Sequence, residues 1–419
     1  MIKNRCDNIG RNVLYFYALG LYLFAKDLEI SSAYHTVAII PVFLEAIRYI
    51  SYGLIVFISI FMTDYSYKVL KRYILFMVFF LIISLKAGSV TILFNFIFIF
   101  AAKNIQVRKM IKYVVTLQAI LTICIFVSSL TGVIEDWTYM IAGRFRHSMG
   151  YGYPNAIPTI YFYTMLAICY LIRNKFKLMH LVVFEAINYL LFSYTKTRTA
   201  FAMTAIALFV FWLLKFRKKP LTSTKISRVF YVHSVYLIAI FSIMACFFYN
   251  PANPMLRKID AFISNRLSMG HNALMVNHLT LFGQKIQWYG FGGVGYTIQE
   301  MGGEYNYVDC SYVKILLDYG IVMLLLAIIG YMFAANEELK KGNRYFCMAL
   351  LFANLYAMIE PRYIETGLNP FVWCLSALIS NEVFLSTKGE PRLKVRSILK
   401  SKRYYSNKQV LVCTISEKG

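Results

Sequence analysis

Three segments combine arginine with hydroxyl, amide, glycine and aromatic residues in patterns suited to holding an anionic ligand. The first runs Gly143-Arg144-Phe145-Arg146-His147-Ser148-Met149-Gly150-Tyr151-Gly152-Tyr153-Pro154-Asn155. On an extended chain Arg144 and Arg146 point to one side, and the Gly, aromatic and Pro positions after them form a rigid turn. The second is Tyr194-Thr195-Lys196-Thr197-Arg198-Thr199. Thr197 or Thr199 is placed to cap the helix that follows, whose first amides would favour an anion beside Arg198. The third starts at Ser264-Asn265-Arg266-Leu267-Ser268-Met269-Gly270-His271 and continues through His278 to the run Gly290–Gly295.

The chemistry these segments offer is mainly phosphate binding. A guanidinium is a planar fork that meets phosphate oxygens in pairs and stays charged at any depth. The competing reading is plainer: arginines that snorkel from an aromatic belt into the headgroups. His271 is the first candidate for a base working near neutral pH, with His147 and Glu360 behind it. His271 and His278 are seven residues apart, one helical face but two turns distant, so they do not form a metal pair and no metal is expected. Gly290–Gly295 fits G-x-G-x-x-G, but a dinucleotide fingerprint needs a strand, turn and helix that this region does not offer. Glu185 and Asp318 fall within apolar runs, where an acid serves either a proton relay or an internal ion pair.

Composition dictates what must position these residues. Of 419 residues 59% are apolar and 15% charged, against roughly 25% charged in soluble domains. Mean hydropathy is +0.57, and a soluble fold is excluded. The formal charge of +24 would suggest nucleic acid as a partner of a soluble protein, but topology accounts for most of it and no nucleic acid is expected. The eight cysteines are scattered without a C-x-x-C pair, so they read as small hydrophobes rather than a zinc or disulfide framework.

Apolar stretches lie near 12–25, 42–63, 73–85, 87–102, 112–131, 156–172, 180–194, 199–214, 229–249, 312–334, 345–359 and 367–385. The sequence therefore predicts an all-α polytopic integral membrane protein of about twelve transmembrane helices, in one membrane domain spanning 1–419. The third and fourth stretches, divided by Lys86, Ala87 and Gly88, read as a tight helical hairpin. Placing both termini in the cytoplasm puts 31 of the 44 Lys and Arg on the inner side, as cytoplasmic loops require. The other 13 include seven arginines, at 48, 144, 146, 198, 257, 266 and 362. Two outer loops are long: 131–155, and the large outer loop 250–311, in which 260–281 reads as an amphipathic helix. Residues 388–419 form a basic cytoplasmic tail.

Taken in order, these residues resemble a known family. Arg144, Arg146, Gly150, Pro154 and Asn155, the Thr-Arg-Thr turn at Arg198, Asn-Arg-Leu at Arg266, Asp309-Cys310-Ser311-Tyr312, then Leu316, Asp318, Tyr319 and Gly320, together look like a Wzy-type polysaccharide repeat-unit polymerase of the O-antigen polymerase and ligase group. Glu360-Pro361-Arg362 to Glu365, with Asn369-Pro370-Phe371, is similar to the closing motif of capsule-type members.

The resemblance implies a glycosyltransferase at the outer face of the bacterial plasma membrane. It would move a growing glycan from undecaprenyl diphosphate to the next lipid-linked repeat unit, without a nucleotide or other cofactor. Its implied partners are undecaprenyl-diphosphate-linked glycans, membrane lipids, a flippase and a chain-length regulator. Arg198 and Arg266 are the first choices for the diphosphate and His271 for the base. Arg144, Arg146, Tyr153, Asn155, Tyr312 and Glu360 would contact substrate. Two alternatives remain open: a flippase or exporter of lipid-linked oligosaccharide, and an O-antigen-type ligase of the same fold.

Overall fold

The computed structural model describes residues 2–141, 143–216, 224–290, 305–376 and 392–393. The elements in chain order are α1 (Ile2–Glu29), the single turn α2 (Ala33–Thr36), α3 (Ile39–Phe57) prolonged by a π-helical turn Ile58–Met62, β1 (Tyr65–Ser66), α4 (Tyr67–Ala87), α5 (Thr91–Ala101), α6 (Val107–Leu130), β2 (Thr138–Ile141), β3 (Arg144–His147), α7 (Ala156–Ile172), α8 (Leu178–Thr195), α9 (Arg198–Leu214), α10 (Lys225–Tyr231), α11 (Ser234–Phe247), α12 (Pro254–Phe262), α13 (Arg266–Val276), α14 (Ser311–Lys340), α15 (Arg344–Tyr356), a 3-10 turn Pro370–Leu375, and β4 (Arg392–Leu393). The described residues are mostly helical, with two short antiparallel strand pairs among them, β1 with β4 and β2 with β3, and an isolated antiparallel bridge between Ser31 and Tyr151.

Among the described residues five helices are long and apolar enough to cross a membrane: Ile39–Met62, Val107–Leu130, Ala156–Lys175, Leu178–Thr195 and Ser311–Lys340. Counting α10 and α11 as one span bent by 50° makes six. Eleven of the twelve apolar stretches fall on helices. The last, 367–385, begins in the 3-10 turn and runs outside the described residues, as does nearly all of the tail. The exterior is apolar as well, with Ile39, Leu75, Leu85 and Met179 each more than two-thirds exposed. Helix length and apolar surface together fit a membrane location.

The core has two main parts. In the larger, α7, α9, α11, α14 and α15 pack their buried faces together, with Phe162, Phe211, Tyr331 and Phe346 at its heart. The second joins α1, α3, α5 and α6 around Tyr15, Tyr22, Phe98 and Trp373. As the sequence predicts, α4 and α5 form a tight hairpin; its turn opens on Gly88 at φ +69°.

The helix expected across 260–281 is broken. Asp260 Oδ1 accepts from the backbone N–H groups of Leu267 (2.8 Å) and Ser268 (3.2 Å), so a side chain of α12 caps α13. Ser264 and Asn265 take left-handed conformations to make the corner. Because α13 ends at Val276, His278 lies beyond it and does not share a helical face with His271.

The long helix α14 is interrupted too, at Gly320 with φ +86° and ψ 172°. The stretch after α13, from Thr280 to Gln284, fills the break. Ile321 N–H donates to the Thr280 carbonyl (2.9 Å), Val322 N–H to Leu281 (3.2 Å), and Gln284 N–H to Asp318 (3.2 Å). Only glycine fits there: a Cβ at Gly320 would stand 2.5 Å from Gly283 N and Leu281 O.

Candidate functional site

Between α15 and the 3-10 turn, residues 357–369 run without regular structure through the protein interior. Buried irregular backbone needs partners, and this segment has them. Ser311 Oγ donates to the Glu360 carbonyl and accepts from Tyr363 N–H at 3.1 Å. Asn369 Nδ2 donates to Tyr363 O (2.6 Å), and Gln118 Nε2 to Gly367 O (2.8 Å). The result is a fixed platform that turns the Glu360 side chain toward the start of α7.

There, Glu360 Oε2 accepts from Asn155 Nδ2 at 3.1 Å and from Thr159 Oγ1 at 3.0 Å. Thr159 is itself 3.0 Å from the Tyr356 hydroxyl. The Arg362 Nε lies 3.8 Å from Glu360 Oε1. Burial pushes the Glu360 carboxyl up to about 7; Arg362 opposes the rise and Asp309 adds to it. Burial would lower the Arg362 guanidinium, but Glu360 and then Glu365 outweigh it and raise it. Glu360 is therefore poised between its two protonation states at neutral pH.

Two further arginines belong to this region, Arg266 acting on the carboxyl itself and Arg146 on Tyr153 and Arg266. Arg266 opens α13 and donates from Nε to Asp309 Oδ2 at 3.1 Å. Arg146, on β3, donates from Nε to the Thr195 carbonyl (2.7 Å) and from Nη2 to Thr197 Oγ1 (2.9 Å), with its guanidinium 5.8 Å from the Tyr153 ring centre. Burial lowers the Arg146 pKa, Tyr153 opposes that, and the charges of Arg144 and Arg266 lower it further. Arg266 and Asp309 also act on Glu360 and on Tyr153. Arg146, Tyr153, Asn155, Arg266 and Glu360, taken from three distant stretches, thus form one cluster.

Two buried polar atoms in it have no hydrogen-bond partner among the described residues: Arg266 Nη1, a donor, and Asn155 Oδ1, an acceptor. Buried polar groups are seldom left so. Beside a carboxyl with a pKa near neutrality, they are attachment points for a ligand that carries both acceptor and donor oxygens.

The other sequence candidates sit apart from these bonds. Arg144 is half-buried on β3, two residues from Arg146 and on the same side, as the extended-chain reading predicts. Arg198 is the first residue of α9 and exposed; its neighbour Thr197 makes no capping bond and instead receives Arg146. His271 turns toward α11, with Nδ1 3.1 Å from the Cys246 carbonyl and its ring against Tyr249. Tyr312 is a core side chain, 1% exposed, whose hydroxyl donates to Asn354 O at 2.9 Å. His147 Nδ1 lies 2.7 Å from Asp136 Oδ2, and Asp136 also accepts from Met149 N–H, fixing the base of the hairpin. Of the two readings of Asp318, the internal ion pair holds: it bonds Lys314 (3.0 Å) and Trp288 Nε1 (2.8 Å). Glu185 accepts from Asn188 at 3.1 Å. Of the Gly290–Gly295 run, only Gly290 is among the described residues.

Sequence reasoning missed Thr159 and the pairing of Asp309 with Arg266. Thr159 lies in an apolar run with no motif around it, and Asp309 stands in the sequence only as the first residue of the motif Asp309-Cys310-Ser311-Tyr312, with nothing to pair it with Arg266. Compared with protein-family models, with curated proteins and with solved structures, the chain shows no match in any of the three.

Proposed function

We propose that this protein is a membrane-embedded glycosyltransferase that joins lipid-diphosphate-linked oligosaccharide repeat units, working from one face of the membrane. The observation that carries the reading is the Glu360 cluster: a carboxyl with a pKa of about 7, near a half-buried arginine whose Nη1, and a half-buried amide whose Oδ1, are buried and unbonded among the described residues. Glycosyl transfer from a lipid diphosphate needs both halves of this arrangement. The acceptor hydroxyl loses a proton as it attacks the anomeric carbon, and negative charge gathers on the departing diphosphate.

Glu360 is the group suited to take that proton, ahead of His271, whose ring is held by a backbone carbonyl on the α11 side. Arg266 and Arg146 are suited to the diphosphate, because preorganised cations act strongly in a buried site. In this reading Glu360 keeps its bonds to Asn155 and Thr159, and the unbonded Asn155 Oδ1 and Arg266 Nη1 receive the substrate. The twelve-span count, cytoplasmic termini and outer-face location in a bacterial plasma membrane belong to the same proposal, supported by the 31 of 44 cations that this topology puts on the inner side. A ligase of the same fold shares this chemistry and differs in its acceptor. A flippase would bind the diphosphate without needing a neutral-poised carboxyl.

Purified protein in liposomes, given a lipid diphosphate-linked repeat and no nucleotide, should yield a ladder of lengthened products. Substrate that binds and stays single throughout would overturn the polymerase reading.

A further inference from the structure

Along the second part of α14, from Met323 to Lys340, two adjoining cavities share the side chains of Ile329 and Phe333. One, of about 370 Å³, lies between α4, α5, α14 and the 3-10 turn. Its lining is almost wholly apolar, including Phe76, Phe80, Phe96, Met323 and Ala327. The polar exceptions are Arg72, near the start of α4, and Asn95, whose Oδ1 already accepts from Tyr22 (2.7 Å) and Thr366 (2.8 Å). The α4 face that borders it runs from Val69 to Phe80, about 16 Å at 1.5 Å per residue.

The second cavity, of about 470 Å³, is lined by Arg228, His233, Asn336 and Lys340 together with Val232 and Met332. No aspartate or glutamate lines it among the described residues. The Lys340 Nζ is 2.9 Å from Glu337 Oε1, outside the lining. His233, in the bend between α10 and α11, has a buried Nδ1 without a hydrogen-bond partner. Both volumes fall within the roughly 300–1,000 Å³ of ordinary ligand pockets.

An apolar slot that leads into a basic chamber has the two-part chemistry of an anionic amphiphile. Water in the slot would have almost nothing to bond, whereas a hydrocarbon chain would gain from every methylene buried. The chamber offers a guanidinium, an ammonium, an imidazole and an amide to one phosphodiester, which charge-assisted hydrogen bonds favour. Lys340 lies 20 residues beyond the break at Gly320, about 30 Å along an unbroken helix, comparable with the roughly 30 Å hydrocarbon core. The basic chamber therefore sits at the end of α14 away from the Glu360 cluster, and the apolar slot runs back from it toward Ile364.

We infer that this paired cavity binds one anionic glycerophospholipid, an acyl chain lying between α4, α5 and α14 and the phosphate among Arg228, His233 and Lys340. The occupant is committed by charge. A zwitterionic lipid brings no net charge to the chamber, and free phosphate leaves the slot empty.

The test uses the full chain, purified and delipidated, then mixed with phosphatidylglycerol, phosphatidylcholine or inorganic phosphate, with bound lipid read by native mass spectrometry and stability by thermal melting. Phosphatidylglycerol should be retained one per chain and raise Tm above the phosphatidylcholine value, while inorganic phosphate leaves Tm unchanged. Arg228→Gln with Lys340→Gln should weaken phosphatidylglycerol about tenfold or more by removing charge-assisted bonds. Ala327→Phe, which narrows the slot without touching charge, should do the same. Equal retention of the two lipids, a full thermal shift from phosphate alone, or an undiminished lipid preference in the double variant would each overturn the assignment. If either variant fails to fold, the comparison of lipids on the unaltered protein decides the question.

Discussion

Arg198 and Arg266 each stand at the first position of an apolar helix, preceded by a polar residue that could cap it. On the sequence both are first choices for the diphosphate. In the fold, Arg266 has only 11% of its side chain exposed, bonds Asp309 from 43 residues away and acts on Glu360. Arg198 is exposed at the α8–α9 turn, and the hydroxyl beside it is taken by Arg146. What separates them is the company brought by distant parts of the chain, since desolvation and fixed partners make a cation effective.

The sharpest way to break this contrast is Arg→Lys at each position. Lysine keeps the charge and loses the fork. At Arg266 product formation should fall about a hundredfold at unchanged protein level, the scale of losing one preorganised donor. At Arg198 the change should stay within about twofold, as for exposed substitutions. Equal losses would put the diphosphate at the α8–α9 turn and return Arg198 to first place.

Glu360→Gln gives the next largest effect, read as a pH dependence. Turnover of the unaltered protein should rise through about pH 7 as the carboxyl ionises, and the variant should be slow and flat. Stability carries the opposite sign. Because the folded pKa of about 7 lies above the ordinary 4.5, this group favours the fold fully below pH 4.5 and that contribution is lost as pH rises through 7. The difference in Tm between the unaltered protein and the glutamine variant should therefore fall across this window; a constant difference would remove Glu360 from the titration.

A smaller effect is expected from Thr159→Val, which removes a hydrogen bond to the charged carboxylate. The pH profile should move upward by about half a unit, and no movement would mean that Thr159 does not hold the reacting form. The smallest belongs to His271→Gln, which keeps a polar group near the Cys246 carbonyl. Turnover should change less than about twofold; a loss on the scale of Arg266→Lys would make His271 the base after all.

Much of the architecture was legible because burial in a membrane leaves a strong local signal. The apolar stretches fall on helices, the α4–α5 hairpin stands where the break at Lys86 put it, and Arg144 and Arg146 share one side of a strand. The α12–α13 corner was not legible, since Asp260 reaches the next helix with its side chain, and a hydrophobic pattern does not register a cap made seven residues away. The cluster itself was legible as a set of residue types and not as a set of partners. Asn155 and Glu360 are 205 residues apart, and no periodicity connects them. Tyr312 shows the converse: its place in a promising motif pointed to substrate, while its neighbours put it in the core.

The break in α14 at Gly320 makes a helix and a loop into a single joint. Two amides just after the break, Ile321 and Val322, are bonded to carbonyls of Thr280 and Leu281 instead of to their own helix. They exchange with solvent only when the loop lets go, which makes them natural sentinels of its docking. Hydrogen exchange at these two positions therefore times the loop's release without a label on the loop. If substrate admission requires that release, added lipid-linked glycan will change the protection of two backbone sites inside a membrane helix.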